Sequence, residues 1–156
     1  MIVPAHLLEQ AQRMIDVSGR PRQVNLRRAV SSAYYALFHF TMAAAADMVA
    51  GRTARSAAPD LYKRVYRAID HADLRSRLSD GRLQAISRNI ARFASAVINL
   101  QQARHKADYD PFDRISKTDA VAHINDARDA IAAFEAATLN ERQACLTSVL
   151  FRERRT

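Results

Sequence analysis

Apolar positions recur along this chain at helical spacing almost throughout, and no segment alternates as a strand would. Leu7, Leu8, Ala11, Met14 and Ile15 predict a first amphipathic helix ending near Ser18-Gly19. Pro21 opens a second, from about Gln23 to Ala50, with Leu26, Ala29, Ala33, Leu37, Phe40 and Ala44 along one face. Gly51 and the stretch from Ser56 to Pro59 predict a polar loop, after which Asp60 is placed to cap a shorter helix carrying Leu61, Val65 and Ile69. Ser79-Asp80-Gly81 leads into a long helix, about Arg82 to Ala107, which Pro111 forbids from continuing far. Ser116 or Thr118 caps the next, with Val121, Ile124, Ala127, Ile131 and Phe134 as its stripe. Asn140 followed by Gln143 has the spacing of a capping box for a last short helix through Leu146 and Leu150. The expected fold is all-α: one domain over residues 1–156, a four- or five-helix bundle whose two longest helices form an antiparallel spine. Its core spans about residues 5–135, with an accessory C-terminal helix and basic tail over 139–156.

One position breaks the apolar pattern. Leu83, Ile86, Ile90, Phe93, Val97 and Leu100 lead in steps of three and four to Arg104, placing a guanidinium on a buried face. A charge there is costly unless something pairs with it. His105, Asp108 and Tyr109 follow at once, so the patch reads as the lining of a cleft. On the second helix Arg28, Ser32, Tyr35 and His39 fall at steps of four, three and four. They share one face, apart from the core stripe, that is suited to meet a polar ligand or the Arg104 patch.

The formal net charge is +8, and only three of the 24 basic residues are lysines. Arginine stacks on bases and grips phosphate bidentately, which favours an RNA or nucleotide partner. The same composition suits a proteome that uses arginine as generic surface charge. Arg52, Arg55, Lys63, Arg64 and Arg67 form the best basic footprint outside the cleft. Cys145 is the sole cysteine, which excludes an intrachain disulfide and a multi-thiolate metal site, and it reads as a packing residue. The expected setting is the reducing cytoplasm, with no signal peptide at the start and no membrane span, since residues 34–50 are too short and polar. His6, His71 and His123 are scattered without metal-ligand spacing, and there is no glycine-rich phosphate loop. Neither a metal nor a cofactor is expected.

The segment Arg28-Ala29-Val30-Ser31-Ser32-Ala33-Tyr34-Tyr35-Ala36-Leu37-Phe38-His39 resembles the second-helix signature of small stand-alone bacterial HEPN domain proteins (higher eukaryotes and prokaryotes nucleotide-binding). Arg104-His105-Lys106-Ala107-Asp108-Tyr109 resembles their late-helix motif, and the resemblance covers about residues 5–135. It implies a helical bundle that forms a homodimer with the late-helix arginines facing each other across a cleft. It also implies a role in a toxin–antitoxin or nucleotidyltransferase-linked module, with a nucleotidyltransferase as partner protein. Many such proteins are metal-independent ribonucleases with an Arg-x4-6-His motif, in which histidine moves a proton at the ribose 2′-hydroxyl and arginine holds the phosphate. This sequence departs from that pattern, because Tyr109, Asp110 and Pro111 occupy the positions that should offer the histidine. Nucleotide or RNA binding by Arg28, Tyr35, Arg104, Asp108 and Tyr109 is the leading expectation, with Tyr109 also a candidate acceptor for modification by the partner. Catalysis by Arg104 with His39 or His105 is the second, and a non-catalytic adaptor bundle, in which the same residues form a structural network, is the third.

Overall fold

The computed structural model describes residues 1–154, and these are helical without any strand. Five helices have twelve residues or more: α1 (Pro4–Ile15), α2 (Gln23–Ala50), α7 (Arg88–Tyr109), α8 (Lys117–Ala136) and α9 (Leu139–Leu150). Four shorter ones lie between the second and third of these: α3 (Ala54–Ala57), α4 (Pro59–Tyr66), α5 (His71–Leu78) and α6 (Gly81–Gln84). Helix α2, 28 residues and so about 42 Å long, is the axis of the bundle. Contacts pair Arg27 with Ala107, Tyr35 with Arg104 and Phe40 with Phe93, so α7 runs antiparallel to it, as expected of the spine. Helix α8 packs against both, and α1 lies along α2 and α8. At the centre Phe93 and Phe134 stand 4.9 Å apart, and Phe40 meets Phe134 edge-on at 5.4 Å, separations at which aromatic rings attract beyond simple burial.

The expected stripes hold on α2 and α8, where Leu26, Ala29, Ala33, Leu37, Ile124, Ala127 and Phe134 are buried. The long helix expected from Arg82 is instead two. Asp80 accepts the Arg82 amide to start α6, and after a break at 85–87 Ser87 accepts the Ile90 amide to start α7. Ser87 has an extended backbone, φ −164° and ψ 166°, so its hydroxyl replaces a helical turn that the apolar spacing alone would have continued. Leu83 is buried all the same, because α6 turns it onto the same core.

The region from 51 to 80 departs most from expectation. Pro59 opens α4, whose buried residue is Tyr62 while Leu61 is about half exposed; Asp60 lies in its first turn and is not its cap. The helix stops at Tyr66, and Asp70 accepts the Asp73 amide at 2.8 Å to start α5, which the apolar pattern did not announce. The α8 cap is Ser116, in a reciprocal box with Asp119. The α9 box is Thr138 with Glu141, two residues before the expected Asn140 and Gln143. Cys145, Leu146 and Val149 of α9 belong to the same core cluster as the rest of the bundle. In the basic tail, Arg155 lies outside the described residues. Among the described residues no helix is long and apolar enough to cross a membrane.

Candidate functional site

Helices α2, α4, α5 and α7 bring a cation, a carboxylate, two imidazoles and four phenols into one cluster. Arg104 is its centre. The side chain is 14% exposed, and Nη2 donates to the Tyr35 hydroxyl at 2.8 Å. Nε is buried 2.9 Å from Asp108 Oδ2, yet its N–H points off the line to that oxygen, so the pair is held by charge and not by an aligned hydrogen bond. The rings of Tyr34, Tyr35 and Tyr109 surround the guanidinium at 5.8, 5.3 and 5.7 Å, within cation–π range. Burial pulls the Arg104 pKa down, while the Tyr35 hydroxyl, the Asp108 carboxylate and Tyr109 push it up, and the net shift is upward. The cation is thus fixed in charge and place. Nη1 makes no hydrogen bond with the described residues and, unlike Nε, is not buried.

Asp108 is four residues after Arg104 on the same helix, the spacing that lets the two side chains meet. Its other oxygen accepts from the Ser31 hydroxyl, which ties the end of α7 to α2. Arg27 completes that tie, donating to the carbonyls of Ala107 (2.8 Å), Asp110 (2.7 Å) and Asp113. A helix C-terminus exposes such unpaired carbonyls, and an arginine satisfies them while opposing the negative end of the helix dipole.

Behind Arg104 lies a doubled Tyr–His arrangement. Tyr34 and His39 of α2 are five residues apart, as are Tyr66 of α4 and His71 of α5. They pair head to tail: the Tyr34 hydroxyl lies 2.7 Å from His71 Nδ1, and His39 Nδ1 lies 2.6 Å from the Tyr66 hydroxyl. The His71 pKa is lowered by burial and then by the nearby Arg104 charge, with Asp70 opposing; that of His39 is lowered by burial and then by His71. Burial raises the Tyr34 pKa strongly, with Arg104 opposing and Tyr35 adding. Neutral imidazoles that accept from neutral phenols satisfy both pairs, leaving Nε2 of each histidine as the N–H. Gln101 adds a bond to the His71 carbonyl at 2.9 Å, so α7 holds the start of α5 directly.

Of the residues singled out from the sequence, the structure gathers Tyr35, Arg104, Asp108 and Tyr109 in contact. His39 stands one step away, its ring stacked 6.3 Å from Tyr35. Arg28 does not join them: it is exposed and makes no hydrogen bond or ion pair with the described residues, and its neighbour Arg27 is the engaged arginine. The effective face of α2 is Arg27, Ser31, Tyr35 and His39, a run of fours displaced from the expected one at its first two members. His105 points elsewhere. It is exposed, packs its ring 4.9 Å from Tyr109, and lines a groove on another side of α7. Arg55, expected in a free basic patch, is bonded to Asp47 at 2.6 Å and to Tyr62. Sequence reasoning missed Arg27, Ser31, Tyr66 and His71; the repeated five-residue Tyr–His spacing was the signal for the last two. No three His, Cys, Asp or Glu side chains among the described residues stand together as a metal site would need.

Comparison with family models, with curated proteins and with solved structures finds nothing that matches this chain.

Proposed function

We propose that this is a HEPN-like nucleotide- or RNA-binding protein, a component of a toxin–antitoxin or nucleotidyltransferase-linked module, in which Arg104 receives a phosphate. The observation that carries the reading is Arg104 itself. Tyr35 and Asp108 hold a partly buried guanidinium, aromatic faces surround it, and one nitrogen is left accessible for a charge-assisted bond to an anion. Tyr109, 65% exposed at the rim, offers a face on which a base can stack. Asp108 positions the cation and also competes with a phosphate for it.

Single-stranded RNA in fluorescence anisotropy at roughly 50 mM salt tests this, because phosphate contacts are strongest there. Wild type binds, Arg104→Ala weakens binding about tenfold or more, as loss of a charge-assisted contact should, and Asp108→Asn, which keeps a side chain for Ser31 to bond, tightens it. Absence of wild-type binding to RNA and to mononucleotides at low salt would sink the reading.

A second reading, a metal-independent endoribonuclease, is favoured by the placement of His39 and His71 behind Arg104; to act as a base either imidazole must first release the phenol that its Nδ1 accepts from. RNA left intact by wild-type protein in EDTA eliminates it.

A further inference from the structure

On the face of α7 turned away from Arg104, several polar side chains make no hydrogen bond or ion pair with the described residues. Lys106 stands about 200° round the helix from Arg104 at roughly 100° per residue. With Asn99, Gln102 and Ala103 it walls an open groove of about 650 Å³. Asp119 and His123 of α8 form the facing wall, and Val30 and Ile115, both buried, form the floor. This volume is that of a small-molecule site, which runs to roughly 300–1,000 Å³.

Three cations line the groove, Arg75, Lys106 and Arg114, and among the described residues no carboxylate lies within ion-pair distance of any of them. Two carboxylates also line it: Asp119 is committed to the α8 cap, where it accepts the Ser116 amide, while the Asp113 carboxylate makes no hydrogen bond or ion pair with the described residues. The side-chain amides of Asn99 and Gln102 make no hydrogen bond with the described residues, and His123 Nδ1 is buried without a partner. Buried polar atoms nearly always find one. Idle cations match a phosphate, idle amides match the donor and acceptor edge of a base, and an apolar floor suits a ring.

We propose that this groove binds a nucleoside monophosphate, its phosphate on Lys106 and Arg114 and its base edge on Asn99 and Gln102. The site lies across α7 from the Arg104 cluster and does not depend on the function proposed for that cluster. Calorimetric titration of the full chain carrying Arg104→Ala, which removes the phosphate contact proposed for the cluster, at low salt with AMP, GMP, CMP, UMP and inorganic phosphate tests it. At least one nucleotide binds this protein with one-to-one stoichiometry, and adding Lys106→Ala/Arg114→Ala weakens binding about tenfold or more, the loss expected from removing charge-assisted bonds. Circular dichroism confirms the fold of each variant. In the Arg104→Ala protein the nucleotide shifts the NMR ring signals of His123 and leaves those of His39 and His71 in place. No binding of any nucleotide by the Arg104→Ala protein overturns the proposal, as does binding that the added double substitution leaves unchanged. Inorganic phosphate binding as tightly as every nucleotide overturns the base contact.

Discussion

Arg104 is tolerated on the buried face of α7 because each part of its side chain meets something suited to it: a hydroxyl at Nη2, a carboxylate at Nε, aromatic faces on the guanidinium plane. The anomaly was legible in the sequence, since one charge ended an apolar stripe, and so was Asp108, four residues on. What supports it across the bundle was not, because a helical repeat says which face a residue occupies and nothing about which helix lies opposite. The Tyr–His pairs behind it have a consequence for stability. The pKa values of His39 and His71 are lower in the folded protein than their ordinary 6.5, so between those values the unfolded chain holds more protons. Their contribution is therefore fully present above about pH 6.5 and is lost as pH falls through the folded values. Urea midpoints measured from pH 7.5 down to 5.5 should fall, and the fall should be shallower in His71→Gln. A midpoint flat over that range in wild type would mean that neither imidazole resists protonation in the folded state.

At the scale of the element, the helices that were read correctly are those long enough for periodicity to dominate, α1, α2 and α8. Errors gather where one polar side chain redirects the backbone. Ser87 starts a new helix where the spacing of Ile86 and Ile90 would have carried one through, and Asp70 starts one that no apolar repeat marks. A serine within a helical pattern reads equally as a helix residue or a cap, and tertiary context chooses. Here the break between α6 and α7 leaves Leu83 and Ile90 both buried. Ser87→Ala removes the acceptor for the Ile90 amide and should cost about 1 kcal/mol of unfolding free energy, the usual worth of an N-cap. Equilibrium denaturation measures this, and an unchanged variant would show that the cap is replaced by solvent.

For the whole molecule, the question is whether α9 is an appendage or a wall of the bundle. Expectation made it accessory, yet Cys145 and Val149 are fully buried and burial pushes the Cys145 thiol up to about 12. Such a thiol is neutral and shielded, and it reacts only when the structure around it opens. Labelling by a thiol reagent in native buffer should be slow, and its rate should rise with urea in parallel with global unfolding. Fast labelling that ignores urea would make α9 a separately opening unit. The arginine-rich composition operates at this scale as well, but net charge alone did not say which cations stay free. Arg27, Arg55 and Arg104 are drawn into internal contacts, while Lys106 and Arg114 are left beside a groove.

By itself the sequence determined the helical class, the faces of the long helices and the presence of one misplaced charge, because each depends on spacing within a single segment. Only the tertiary structure decided that Arg27 and not Arg28 meets the end of α7, that His71 joins the cluster, and that His105 touches it only at Tyr109. Those outcomes depend on which helices pack together and at what rotation, and a shift of one residue along a helix turns a side chain through about 100°.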